Sequence, residues 1–178
     1  ILFLPFLGAI ISGFFGKLLG DRSCEIITSL FVSISALLSL VIFYKVLSIG
    51  YENNIIITTW INSGSLNVNW SINIDTLSSV MLVVVTLISS LVHIYSIGYI
   101  SHDPHKTRFM SYLSLFTFAM LTLVTSDNFL QLFFGWEGVG LCSYFLIGFW
   151  FKKPSANAAA IKAFLVNRVG DFGFALGI

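Results

Sequence analysis

Residues 128–151 read NFLQLFFGWEGVGLCSYFLIGFWF, an apolar run interrupted by a single charged residue, Glu137. A helix that crosses a bilayer needs roughly 20 mainly apolar residues, and this stretch is long enough to form one. With a rise of about 1.5 Å per residue, Glu137 lies roughly 13 Å into such a helix, near the bilayer centre. The stretch therefore predicts a transmembrane helix that carries a carboxylate at its middle.

The rest of the chain has a similar composition. Of its 178 residues, 57% are hydrophobic and 10% are charged, with a formal net charge of +1. Soluble domains are about a quarter charged, and a compact domain of this size cannot bury so much apolar surface. The composition excludes a soluble enzyme, a disordered tail and a secreted disulfide scaffold, and the small net charge gives no reason to expect nucleic acid. Cys24 and Cys142 lie far apart and outside any CxxC motif, so they offer no metal or redox motif.

Apolar runs separated by short polar segments predict an all-α polytopic membrane protein. We expect about six transmembrane helices, the sixth truncated, in a single transmembrane domain that covers residues 1–178. The predicted helices are residues 1–19, 26–49, 76–100, 109–125, 128–151 and 158–178. Asp75, and either Ser126 or Asp127, are predicted to cap the helices that follow them.

The distribution of lysine and arginine predicts the orientation of these helices. The first, third and fifth loops with their helix ends hold seven basic residues, whereas the second and fourth hold one, Lys45. The seven are Lys17, Arg22, Lys106, Arg108, Lys152, Lys153 and Lys162. The odd-numbered loops are therefore predicted to lie inside, with the N-terminus outside.

The loop between helices two and three has a different pattern. From Leu66 to Ile74, apolar and polar residues alternate, which is typical of a half-buried strand. Residues 55–60 provide a second strand, and Asn62-Ser63-Gly64-Ser65 provides a turn between them. We expect a β-hairpin on the outer surface, with one face against the helices.

Glu137 is the strongest candidate for function because a carboxylate is costly inside the bilayer. It can bind a proton, since burial disfavours its charged form, or it can pair with a cation, and a group balanced between these states suits a proton relay. Gly135, Gly138 and Gly140 would allow another helix or water to approach the carboxylate. The alternative is a Glu that stays protonated and hydrogen-bonds a neighbouring helix.

Further polar candidates lie in the predicted helices. Arg168 and Asp171 are spaced i, i+3 on one face near mid-membrane, either as a structural ion pair or as a pair that tunes a mobile proton nearby. Lys162 and His93 are further candidates for the relay. Their plainer interpretations are a lysine that extends to the interface and a histidine that only packs.

Motifs for other chemistry are absent from the sequence. It contains no GxxxxGK[ST], no GxGxxG after a strand, no HExxH and no GxSxG. His102 and His105 flank Asp103-Pro104 in the third loop, but no third and fourth metal ligand accompanies them. We therefore expect neither a bound cofactor nor a metal site in this chain.

Several motifs together resemble one family. Residues 127–148 read DNFLQLFFGWEGVGLCSYFLIG, and residues 162–171 read KAFLVNRVGD. The pattern includes Ser96-Ile97-Gly98-Tyr99 followed by Asp103-Pro104 and Arg108-Phe109, and Asp75-Thr76-Leu77 before the third helix. This sequence resembles the antiporter-like subunit 5 of respiratory complex I, the proton-pumping NADH:ubiquinone oxidoreductase. It is closer to mitochondrial and related bacterial versions than to Mrp-type antiporter subunits.

The resemblance implies a function for the charged residues. Glu137 matches the family's acid on helix five, which pairs with a lysine on helix seven, and Arg168 and Asp171 match the Arg and Asp of helix six. The match implies that the subunit translocates protons in the membrane arm and that it holds no redox cofactor. FMN, iron–sulfur clusters and ubiquinone then belong to other subunits. The implied partners are other membrane-arm subunits, the remainder of this subunit and lipids, in the mitochondrial inner membrane or a bacterial plasma membrane.

The chain departs from this family in its length. Family members are about three times longer, as two antiporter-like repeats require, so helix seven and its lysine are missing here. We expect a partial chain rather than a split subunit. Two alternatives remain: a subunit of an Mrp-type cation/proton antiporter, and a truncated structural component of a membrane assembly.

Overall fold

The computed structural model describes residues 1–64 and 66–178 as six α-helices and one β-hairpin, which confirms the predicted helical class and the hairpin. In chain order the elements are α1 (Phe3–Leu19), α2 (Asp21–Ile49), β1 (Asn53–Ser63), β2 (Leu66–Ile74), α3 (Thr76–Tyr99), α4 (Lys106–Val124), α5 (Phe129–Ile147) and α6 (Pro154–Gly177).

Three helices begin three or more residues before the predicted start. Helix α2 already starts at Asp21, because Gly20 turns the chain with a φ of 81° and Asp21 suits the positive end of a helix. Helix α4 starts at Lys106, before the predicted residue 109. Helix α6 starts at Pro154 rather than Ala158, since proline fits the first helical turn, where no N–H donor is needed.

The helix caps agree with the prediction at α3 and differ at α5. Asp75 caps α3 by accepting a hydrogen bond from the Ser78 backbone N–H at 2.6 Å. The predicted cap of α5 by Ser126 or Asp127 is wrong, since Asn128 accepts from the Gln131 backbone N–H at 2.8 Å. Asp127 instead accepts from the Ser71 hydroxyl at 3.3 Å, so it is taken up by the hairpin.

The hairpin is held against the helices by side chains of the α5 start. Strand β1 pairs antiparallel with β2, and Ile55 lies opposite Ile72. The buried Gln131 amide accepts from the Ser71 N–H at 3.0 Å and donates to the Ser71 carbonyl at 2.7 Å. Gln131 therefore pairs with this edge as a neighbouring strand would. Ser65 of the predicted turn lies outside the described residues.

The helices form one contiguous bundle. Helix α1 packs against α2 and α4, α2 against α3, and α4 against α5, which in turn contacts α6. Hydroxyl groups bridge the α2–α3 interface, where Ser39 meets Thr86 at 2.8 Å and Ser33 meets Ser90 at 2.9 Å. Small polar residues at helix interfaces are typical of bundles that assemble in lipid.

The outward surface of this bundle is strongly apolar. Phe14, Leu18 and Val169 each expose more than three quarters of their surface. Within the described residues, four helices, α2, α3, α4 and α5, are long and apolar enough to cross a membrane, and α1 is a shorter apolar helix. The chain is thus built as a multi-pass membrane protein.

Candidate functional site: a charge cluster between α5 and α6

Glu137 and Arg168 form an ion pair between two helices. Glu137 lies near the middle of the 19-residue α5, and its Oε1 accepts a hydrogen bond from Nη1 of Arg168 on α6. The Glu137 side chain is 25% exposed and that of Arg168 is 48% exposed within this chain. The carboxylate predicted at mid-helix therefore has a cationic partner on the next helix.

Asp171 completes a three-membered cluster. Its Oδ2 lies 3.7 Å from Nη1 of Arg168, and its Oδ1 accepts a hydrogen bond from the Trp136 indole at 2.8 Å. The Asp171 side chain is only 7% exposed. One guanidinium thus lies between two carboxylates, Glu137 and Asp171.

Aromatic side chains support this cluster from both helices. The Cζ of Arg168 lies 4.8 Å from the ring centroid of Phe164, one turn earlier on α6. The ring face attracts the cation and limits where the guanidinium can point. Because α6 starts at Pro154, Arg168 lies further along its helix than predicted, yet it still meets Glu137 at the middle of α5.

Two of the three glycines around Glu137, Gly135 and Gly138, pack against α4. A Cβ on Gly135 would lie 2.7 Å from the Leu123 backbone, and one on Gly138 would lie 3.1 Å from Ala119 Cβ. A Cβ on Gly140 would reach Asn167 on α6 only at 3.9 Å. The helix that approaches these two glycines is α4, whereas the Glu137 carboxylate itself meets Arg168 of α6.

Lys162 and His93 lie apart from the cluster. Lys162 is exposed on α6, and it forms no ion pair with an acid in the part of the chain that the structure describes. His93 on α3 is fully buried, with Nδ1 2.7 Å from the Ser89 carbonyl and Nε2 3.1 Å from the Ser114 hydroxyl. Since a carbonyl only accepts, Nδ1 carries a proton, and Nε2 forms a second hydrogen bond with the Ser114 hydroxyl.

Trp136 and Phe164 belong to the site but were not predicted from the sequence. Trp136 precedes Glu137, and an indole N–H in the middle of an apolar run needs an acceptor. That requirement was a usable signal. Phe164 is one of 18 phenylalanines, and its spacing from Arg168 distinguishes it only once α6 is known to be helical there.

Two family models match the sequence. The model described as "NADH-Ubiquinone oxidoreductase (complex I), chain 5 N-terminus" matches residues 60–110. The model described as "NADH:quinone oxidoreductase/Mrp antiporter, TM" matches residues 126–178, which include all three charged members of the cluster.

Relatives of known name match along the whole chain. The chain is 58% identical over 178 residues to NADH-ubiquinone oxidoreductase chain 5 of Arabidopsis thaliana, covering 100% of this chain and 27% of that protein. It is 54% identical to NADH-quinone oxidoreductase subunit L of Rickettsia bellii, covering 100% of this chain and 28% of that protein.

A solved structure shares the fold. A chain of the membrane-bound sulfane sulfur reductase, an archaeal respiratory membrane complex, matches with a TM-score of 0.81 at 18% identity, covering 98% of this chain and 34% of that chain. At this identity the likeness concerns the fold alone. The two family models and the relatives together show that the chain belongs to the family of NADH-ubiquinone oxidoreductase chain 5, and it spans about a quarter of the length of the curated relatives it matches.

Proposed function

We propose that this chain is part of a proton-translocating membrane-arm subunit of NADH:quinone oxidoreductase, and that Glu137 binds and releases the proton. The observation that carries the proposal is the position of Arg168, which lies between Glu137 on α5 and Asp171 on α6. Because two acids on different helices share this cation, a change in the charge of one acid changes the position of the arginine.

The chemistry follows from the three charges. Arginine keeps its charge at any physiological pH, so the proton has to be taken up by a carboxylate. Asp171 is held by the Trp136 indole, whereas Glu137 has the guanidinium as its partner. When a proton arrives at Glu137, its attraction to Arg168 weakens and the guanidinium stays with Asp171. When the proton leaves, Arg168 pairs with both acids again.

The surrounding assembly follows from the same proposal. Six spans with the N-terminus outside would place the Lys-rich helix ends on the inner side of a mitochondrial inner membrane or a bacterial plasma membrane. The remainder of the subunit, the other membrane-arm subunits and lipids are the partners. FMN, iron–sulfur clusters and ubiquinone would act in other subunits, with no redox site in this chain.

Replacement of Glu137 by Gln tests the relay. Glu137→Gln keeps the shape and removes the charge switch, so we expect the assembled complex to pump fewer protons per NADH oxidised. Glu52→Gln removes an exposed acid next to the hairpin and should leave pumping unchanged. Unchanged pumping by Glu137→Gln, with normal assembly, would show that Glu137 is no relay.

Lys162 and His93 are secondary candidates in the same proposal. Lys162→Gln and His93→Gln should each reduce pumping less than Glu137→Gln does, because neither side chain contacts the cluster in the described residues. An equal or larger loss in either variant would move the relay to that residue.

A cation/proton antiporter is the alternative, since the family model over residues 126–178 also covers Mrp antiporters. Purification of the protein with its partners distinguishes the two. Partners that oxidise NADH and contain iron–sulfur clusters support complex I, and sodium-driven proton movement without them supports the antiporter. If the chain is instead a structural component, the Glu137→Gln variant should assemble normally and lose no ion transport. The intact mass of the protein, compared with 19.7 kDa, distinguishes a short chain from a fragment of a longer one.

A further inference from the structure

A cavity of about 530 Å³ opens between α4, α5 and α6, near the starts of α4 and α6 and the end of α5. Its wall contains one cation, Arg108, and the polar side chains of Tyr112, Tyr144 and Asn157. The rings of Phe149 and Phe151 form much of the apolar wall. The cavity is therefore amphipathic, with a positive charge on one side.

Arg108 has donors that the described protein leaves unused. A guanidinium carries five N–H donors, and here Nη2 donates to the Phe149 carbonyl at 3.3 Å while Nε is buried with no partner. Within the described residues, no carboxylate lies within ion-pair distance of Arg108. Its Cζ lies 5.2 Å and 5.4 Å from the ring centroids of Phe149 and Phe151. Aromatic rings orient this cation but do not neutralise it.

Asp103 is the acid in the adjacent loop, and it is engaged elsewhere. It accepts hydrogen bonds from the His105 backbone N–H at 2.8 Å and from the Trp150 indole at 3.0 Å. Burial alone would raise the pKa of Asp103, but these donors and the charges of His105 and Arg108 outweigh it and lower the pKa. Asp103 thus accepts its hydrogen bonds from His105 and Trp150, and no carboxylate of the described residues contacts the Arg108 guanidinium.

The same end of the bundle has the features of a membrane interface. Lys152 and Lys153 are exposed beside the cavity, and Lys153 lies 4.9 Å from the Trp150 ring centroid. Tyr99 packs against Trp150, which places two amphipathic rings at this level. Aromatic and basic residues concentrate where the lipid headgroups lie.

We propose that this cavity binds the headgroup of an anionic phospholipid, with its phosphate at Arg108 and the start of its acyl chains along Phe149 and Phe151. A phosphate accepts two parallel hydrogen bonds from one guanidinium. Basic pockets between transmembrane helices on the inner side are suited to such headgroups. A single protein carboxylate would neutralise Arg108 but would leave most of a 530 Å³ amphipathic space unfilled.

The test uses the protein isolated in mild detergent together with its native partners. The probe is a phosphatidylglycerol with a photoreactive diazirine near its headgroup, and labelled peptides are identified by mass spectrometry. We expect labels in peptides that contain residues 108–112 and 144–157. An identical phosphatidylcholine probe should label them at least about tenfold less, since a net negative headgroup is needed to offset Arg108.

Variants distinguish this site from general lipid contact. Arg108→Gln should weaken labelling by about tenfold or more, the loss expected for a charge-assisted hydrogen bond. Arg108→Lys keeps the charge without the paired donors, so its labelling should lie between that of the original protein and that of Arg108→Gln. Arg22→Gln removes an exposed arginine outside the cavity and should label as the original protein does. The thermal unfolding temperature of each variant shows whether it is folded.

Four outcomes would overturn the proposal. One is labelling of a folded Arg108→Gln variant at the original level, and another is equal labelling by phosphatidylcholine. A third is inorganic phosphate competing as well as phosphatidylglycerol, which would make this a site for a free anion. The fourth is a carboxylate from elsewhere in the assembly bonded to Arg108, which would make the cavity a protein interface.

Discussion

The indole Nε1 of Trp136 donates to Oδ1 of Asp171 at 2.8 Å, and this bond joins α5 to α6 beside the Glu137–Arg168 ion pair. Asp171 is 7% exposed, so its charge depends on the indole and on Arg168 for stabilisation. The guanidinium of Arg168 therefore contacts both the nearly buried Asp171 and the more exposed Glu137.

Trp136→Phe should destabilise the protein by about 1.5 kcal/mol, because a hydrogen bond to a charged group is lost from a nearly buried acceptor. Trp150→Phe is the matched control, since that indole donates to Asp103 at 3.0 Å in an exposed position. It should cost less than about 1 kcal/mol. Denaturant unfolding in detergent measures both, and a larger loss for Trp150→Phe would contradict the interpretation.

Gly135→Ala should separate α4 from α5. The added Cβ would lie 2.7 Å from the Leu123 backbone, which cannot move aside as a flexible side chain does. Overpacking of this kind costs about 1–3 kcal/mol. Gly98→Ala meets nothing within 4 Å and should leave stability unchanged or raise it. Thermal unfolding compares the two, and a neutral Gly135→Ala would refute the tight α4–α5 contact.

Gln131→Ala should release the hairpin from the helices. The substitution leaves both backbone groups of Ser71 without partners, in a place where Gln131 is only 1% exposed. Limited proteolysis should cut the hairpin of this variant at least about tenfold faster, since losing two buried hydrogen bonds costs about 1–3 kcal/mol. Thr58→Ala, at an exposed hairpin position, is the control. Equal cutting rates would show that other contacts hold the hairpin.

Ser114→Ala should leave Nε2 of the buried His93 without its hydrogen-bond partner. Polar bonds between helices in membranes contribute about 1 kcal/mol, so a loss of that size is expected. Ser48→Ala removes an exposed hydroxyl that bonds to its own helix and should change stability by less than about 0.5 kcal/mol. If His93→Leu abolishes the effect of Ser114→Ala in a double variant, the two side chains act as a pair. Additive losses would show that they act independently.

The hydrogen bonds to Asp103 predict a specific pH dependence. Its pKa lies below the ordinary 3.8, so the stabilisation is complete above that value and is lost as the pH falls through the lowered pKa. A carboxyl carbon chemical-shift titration measures this directly. Trp150→Phe should move the midpoint upward, because one donor to the carboxylate is removed. A midpoint that does not move would exclude the indole as a cause.

The sequence by itself determined that the chain is a membrane protein and which segments form helices and strands. Because the bilayer core holds no water to bond the backbone, long apolar runs form helices, whose backbone hydrogen bonds are internal. The alternation from Leu66 to Ile74 requires a strand. It also located Glu137 at the middle of its helix, and the i, i+3 spacing put Arg168 and Asp171 on one face. Helix starts were less predictable, as at Asp21 and Pro154, because polar residues can form the first helical turn after a glycine turn or at a proline.

Only the tertiary structure decided which groups meet. The Glu137–Arg168 pair joins residues separated by 31 positions, and the Trp136–Asp171 bond joins residues separated by 35. Which face of α6 contacts α5 depends on how these two helices pack and on the short α5–α6 connection, neither of which a local periodicity encodes. Apolar pattern and spacing act along one element, whereas the partner of a buried charge is set by how two elements pack. The sequence therefore located the acid, and the fold supplied its cation.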